Sequence, residues 1–242
     1  MLIVHGIGEH SGRYEHVGSF LADRGFDTLA YDQRGFGQSG GRRAFVKSFD
    51  QYLDDVEQLL GLLRAEGRPV VLMGHSLGGL VVTTYLVSDR PQPDLAVISA
   101  PALHAVVPAW QKTLAPVLGR VMPKQHIPSK IEPELLSRDV SVQQAYVDDP
   151  LVIAGATARL GQEIFSTMEA TSSKLDRVRV PAYVLHGAED RLVPPSASEA
   201  LGRLPNVDRK VWAGLRHECL NEPEQDEVLA AIAAWMDEQL AA

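Results

Sequence analysis

Short, uninterrupted apolar runs punctuate this chain: Leu2-Ile3-Val4, Val70-Val71-Leu72-Met73, Leu95-Ala96-Val97-Ile98 and Val180-Pro181-Ala182-Tyr183-Val184-Leu185. Continuous apolarity over so few positions marks strands buried on both faces. Between the runs the period changes. Tyr14, Val17, Phe20 and Leu21 fall on one helical face within residues 14–24, closed by Gly25, and Leu53, Val56, Leu59, Leu60 and Leu63 do so within residues 50–66, ended by Gly67 and Pro69. The same reading predicts strands at residues 26–32 and 95–100, and helices over residues 78–89, 195–204 and 222–240. Strands separated by helices predict an α/β fold with a mostly parallel sheet covered by helices on both faces.

Residues 101–179 break that rhythm. Such a stretch between two core strands, with several prolines, is too long for a simple connection and predicts an inserted helical cap. The core is then formed by residues 1–100 and 180–242. In the insertion Val106, Val107, Trp110, Leu114, Val117, Leu118 and Val121 repeat at helical spacing, with Pro108 and Pro116 placed to bend or divide that helix.

Composition narrows the class without naming a function. The 242 residues are 45% hydrophobic and 22% charged, as expected for one large globular domain. A net charge of −8 argues against nucleic acid as a partner, since such binding needs clustered Lys and Arg. The single cysteine, Cys219, permits no internal disulfide and suits a reducing setting, so the expected location is cytoplasmic. No run approaches the ~20 apolar residues of a membrane span.

The chemistry concentrates where predicted strands end. Gly74-His75-Ser76-Leu77-Gly78 is a G-x-S-x-G turn between a buried strand and a helix, which holds a serine hydroxyl exposed on a sharp bend. A serine needs a base, an orienting acid and donors for the developing oxyanion. Asp190 follows the strand ending at His186-Gly187, and His217 follows the one at Lys210-Val211-Trp212. The order serine, acid, histidine is that of α/β-hydrolases. The N–H groups of Ile7, just past the first strand, and of Leu77, next to the serine, are the expected oxyanion donors. Glu189 is the alternative acid. Among the histidines, His5, His75 and His186 sit in motif turns and read as structural, and none has zinc-ligand spacing; neither metal nor organic cofactor is expected.

On these residues the chain resembles the monoacylglycerol lipase branch of the α/β-hydrolases. The segments carrying the likeness are His5-Gly6-Ile7-Gly8-Glu9-His10-Ser11-Gly12-Arg13-Tyr14, Asp32-Gln33-Arg34-Gly35-Phe36-Gly37-Gln38-Ser39-Gly40, the serine turn, His186-Gly187-Ala188-Glu189-Asp190 and, in the insertion, Ser137-Arg138-Asp139 with residues 146–152. The resemblance implies hydrolysis of a fatty-acid glycerol monoester through an acyl-enzyme, with the acyl chain beneath the cap. It also implies that Glu9 and Arg13 lie near the polar head group, the other reading of the two being an ion pair that stabilises this loop, and that the cap makes transient contact with lipid aggregates.

Members of this branch carry two strands before the His-Gly strand that are not found here, so the strand at residues 26–32 is expected to have an open edge, inviting a homodimer. Other readings share the triad: a broad short-chain carboxylesterase, a lysophospholipase, or a peptidase for which the insertion lacks an obvious acidic cluster. A catalytically silent ligand-binding scaffold is the reading of a different class. Ser76 excludes the epoxide hydrolases and dehalogenases of this fold, which use aspartate at the turn.

Overall fold

A computed structural model describes residues 1–104 and 109–241. In chain order its principal elements are β1 (Leu2–Val4), α1 (Glu15–Ala22), β2 (Leu29–Tyr31), α2 (Asp50–Arg64), β3 (Val71–His75), α3 (Leu77–Leu86) and β4 (Leu95–Ser99). There follow α4 (Ala109–Val121), β5 (His126–Ile127), α5 (Val140–Asp148), β6 (Ala156–Thr157) and α6 (Ala158–Ser172), and then β7 (Ala182–Gly187), β8 (Val207–Trp212) and α7 (Gln225–Ala241). Six strands form one parallel sheet in the order β2-β1-β3-β4-β7-β8, while β5 and β6 form a separate antiparallel pair.

The apolar runs become the inner strands. Every residue of β1, β3, β4 and β7 is buried, so each needs apolar side chains on both faces. One face packs with α2, α3 and α6 through Leu2, Leu72, Ile98, Val184, Leu80 and Leu60. The other packs with α1 and α7 through Ile3, Met73, Val97, Leu185, Val17 and Ile232. The period-2 alternation of each strand thus feeds two cores.

The described residues of the 101–179 segment meet the core near the C-terminal end of β1 and at α3. Ile153 N–H donates to the Gly8 carbonyl at 2.8 Å, and the Thr157 N–H and hydroxyl donate to the Ala44 carbonyl at 3.0 and 2.7 Å. Thr84 and Thr171 hydroxyls, 2.9 Å apart, join α3 to α6. Pro116 is accommodated inside α4. Val106, Val107 and Pro108, and the side chain of Trp110, lie outside the described residues.

Two predicted helices are corrected. Residues 195–204 form two 3₁₀ turns, Pro195–Ser198 and Leu201–Arg203. The Ser198 hydroxyl is held by His186 at 3.0 Å and Arg209 at 2.9 Å, and any side chain at Gly202 would overlap that of Arg209. Tertiary anchoring overrides helical spacing there. The last helix begins at Gln225, not at residue 222, because Pro223 disfavours helical backbone before it and Glu222 is extended. The strand expected over residues 26–32 shortens to β2, which forms one edge of the sheet with no strand on its outer side among the described residues.

Candidate active site

The serine turn has the conformation its sequence demands. Ser76 lies between β3 and α3 with φ 54° and ψ −113°, a left-handed backbone that a β-carbon disfavours. Around it the chain passes too closely for side chains. A Cβ at Gly74 would collide with the Gly78 carbonyl, and one at Gly78 with the Val4 carbonyl of β1. The strained serine is anchored from both sides: its N–H donates to Ser99 at 3.0 Å, and its carbonyl accepts from Leu80 and Ala102, each at 3.0 Å.

Loops after β7 and β8 bring together Asp190 and His217, the acid and base expected from the sequence. Asp190 Oδ1 accepts from the backbone N–H groups of Leu192 and Val193, both at 2.9 Å, and Oδ2 lies 2.7 Å from His217 Nδ1. Burial alone would raise the Asp190 pKa, but the facing His217 and His186 and these donors hold it far below the usual carboxylate range. Burial likewise opposes charging of His217, yet the Asp190 carboxylate outweighs it and raises that pKa above its ordinary 6.5. His75 behaves in the opposite way. Burial and the neighbouring His217 ring, 4.7 Å away, lower its pKa to about 3, so it stays neutral and structural. Glu189 is exposed and takes no part in the pair with His217.

Ile7 and Leu77 flank the serine, and neither N–H has an acceptor among the described residues. Leu77 is the first residue of α3, where unpaired donors and the helix dipole favour an anion. Ser76, His217, Ile7 and Leu77 all border a cavity of about 510 Å³. Its walls come largely from the insertion and are apolar, including Leu114, Leu118, Ile153, Ile164, Phe165 and Met168. Among the described residues, Glu132 is the one carboxylate on its lining, and no cluster of metal-ligating side chains occurs.

A model of the Hydrolase_4 family, described as serine aminopeptidase, S33, matches residues 1–224. The chain belongs to this family. Within it, the chain is 32% identical to a monoacylglycerol lipase of Mycolicibacterium smegmatis, over 98% of this chain and 87% of that protein. It is 27% identical to a phospholipase of Bacillus subtilis, over 99% and 95% of the two chains. A crystal structure of the Paleococcus ferrophilus monoacylglycerol lipase superposes with a TM-score of 0.91 at 32% identity, covering 98% of this chain and 93% of that one. The fold is therefore the α/β-hydrolase fold.

In this Hydrolase_4 member Glu9 and Arg13 form the ion pair that was the second reading of these residues, bracing the loop after β1. Neither borders the cavity. Glu9 Oε1 accepts from Gly6 N–H at 2.5 Å and from the Tyr14 hydroxyl at 2.8 Å, while Oε2 takes Arg13 Nη1 at 2.8 Å. Arg13 also grips Glu218 through two bonds of 2.7 and 2.8 Å. With side chains 4%, 11% and 4% exposed, Glu9, Arg13 and Glu218 form a buried charged clamp, and the Arg13 guanidinium lies 5.3 Å from the ring centre of Tyr146, which lines the cavity. The clamp joins the turn bearing Ile7 to the residue after His217.

Sequence reasoning missed Glu218, whose one visible signal is its adjacency to His217. It also missed Glu222, which accepts from Arg216 N–H at 2.6 Å and Arg138 N–H at 2.9 Å and so ties the histidine loop to the insertion. The Ser137-Arg138-Asp139 segment owes its place to these contacts. Cys219 is fully buried, and burial raises its thiol pKa, as expected of an inert thiol.

Proposed function

We propose that this protein is a carboxylic ester hydrolase whose substrates are monoacylglycerols, converted to fatty acid and glycerol. The observation that carries this reading is the apolar cavity of about 510 Å³ bordered by Ser76, His217 and the two unpaired donors. Its size suits a small amphiphile, and its walls suit an acyl chain. The M. smegmatis relative supports the glycerol ester in particular. A peptidase of small N-terminal residues needs an anion for the substrate amine, which an apolar lining with one carboxylate serves poorly.

Ser76 Oγ attacks the ester carbonyl while His217 takes its proton at Nε2, Nδ1 being held by Asp190. The oxyanion is stabilised by the Ile7 and Leu77 N–H groups. Collapse expels glycerol, which takes the proton from His217 and leaves an acyl ester on Ser76. Water, deprotonated by His217, then attacks that ester; the bond to Ser76 Oγ breaks, His217 returns the proton to that oxygen, and the fatty acid is released.

Residues 101–179 act as the cap. It exposes Val117, Val121 and Met122, apolar groups away from the cavity lining and suited to transient contact with lipid aggregates. The open edge of β2, with Leu29 exposed, suits pairing with a second copy. No described helix is long and apolar enough to cross a membrane. The buried, reduced Cys219 accords with a cytoplasmic setting.

Hydrolysis of monoacylglycerols of graded chain length, beside short p-nitrophenyl esters and a lysophospholipid, tests the proposal in wild type and Ser76→Ala. An optimum on monoacylglycerol, abolished by the substitution, is expected. Activity confined to short esters would make it a general carboxylesterase, a preference for the lysophospholipid would move the substrate class, and inertness with no labelling by a fluorophosphonate would mean a silent scaffold.

A further inference from the structure

The helix α6 supplies one wall of the cavity through Ala158, Gly161, Ile164, Phe165 and Met168, which recur at helical spacing on a single face. A glycine in a helix is unfavourable relative to alanine, so it calls for a local reason. Neighbouring glycines have one. A side chain at Gly119 in α4 would overlap Gln162 of α6, and Gly155 has φ 104°. Gly161 has neither. A Cβ built there meets no atom of the described residues within 4 Å outside the helix's own backbone, and the backbone is ordinary helix. What the missing side chain leaves is open volume on the cavity side.

We propose that Gly161 is a specificity-determining residue that sets how long an acyl chain the cavity accepts, its missing side chain leaving room for the distal methylenes to lie against α6. This rests on the ester-hydrolase reading and adds to it a determinant of chain length. The proposal is physical: a side chain at 161 projects from α6 into space that a long chain would fill, whereas a short chain ends nearer Ser76. Discrimination of about tenfold or more accompanies even one methylene lost from an apolar pocket.

The test is the ratio of kcat/KM on a long-chain to that on a short-chain ester, measured for wild type, Gly161→Ala and Gly161→Leu. Gly61→Leu serves as the control, because Gly61 sits on the exposed side of α2 with equally open space around it. Gly161→Leu is expected to lower the ratio at least about tenfold and shift the optimum to shorter chains, Gly161→Ala to lower it less, and Gly61→Leu to keep the wild-type profile. An unchanged ratio in both Gly161 variants would overturn the proposal, as would a loss uniform across chain lengths in a folded variant. Should Gly161→Leu fail to fold, Gly161→Ala alone decides by the same ratio. Displacement of a fluorescent fatty acid by acids of graded length reads the same depth without turnover. A wild type inert to every ester, yet with a length cutoff that Gly161→Leu shortens, would overturn the hydrolase reading and leave the depth determinant standing.

Discussion

His217 balances burial against the Asp190 carboxylate, and the carboxylate wins. A base works only when neutral, so kcat/KM should fall as pH drops through the raised His217 pKa. Asp190→Asn removes the opposing charge and keeps the burial. Its pH–rate profile should show an acid limb displaced to lower pH and kcat reduced on the order of 10⁴-fold. Stability follows with its own sign. The raised His217 pKa contributes stability that is complete below the ordinary 6.5 and lost as pH rises through the folded value. The depressed Asp190 pKa contributes stability present above the ordinary 3.8 and lost as pH falls through the folded value. Thermal scans should therefore show the greatest difference between wild type and Asp190→Asn between these two ordinary values, shrinking at alkaline pH. Ser76→Ala should lose turnover by on the order of 10⁴-fold or more with the fold retained. These residues were legible because turn chemistry and chain order mark them. Glu218 was not, since its bond to Arg13 spans 205 positions and leaves no local pattern.

Among the elements, the inner strands and α2 were legible because burial dictates both their apolarity and its period. The turns at residues 195–204 were not, because their geometry is imposed by His186 and Arg209 from other elements. The Arg13 clamp belongs to this scale too: of the two readings of Glu9 and Arg13, the ion pair is on display, and with Glu218 it links two loops. Arg13→Met would leave Glu9 and Glu218 buried, like-charged and unpaired, a loss of about 3–5 kcal/mol. In wild type, burial opposes ionisation of Glu9, and Arg13 with the local donors overcomes it, so its pKa is lowered. The clamp's contribution is therefore present above the ordinary 4.5 and lost in acid. Denaturant titrations of Arg13→Met should show a deficit that is largest at neutral pH and smaller at pH 4.

At the scale of the whole molecule, the alternation of strands and helices announced a mostly parallel α/β sheet, and the order serine, acid, histidine announced the α/β-hydrolase fold. What the sequence could not display is the shape of the cavity, which depends on how α4 and α6 meet. The exposed apolar residues of the cap lead to a prediction for the intact protein: Val117→Glu with Val121→Glu should weaken sedimentation with phosphatidylcholine vesicles while sparing hydrolysis of a water-soluble short ester. The left-handed backbone at Ser76 sets function against durability. Ser76→Gly would release strain of about 1–3 kcal/mol, against about 1 kcal/mol of added unfolded-chain freedom. The inactive chain should therefore melt no lower than the active one. Selection for heat resistance alone would drift away from the serine, and only selection for turnover holds it in place.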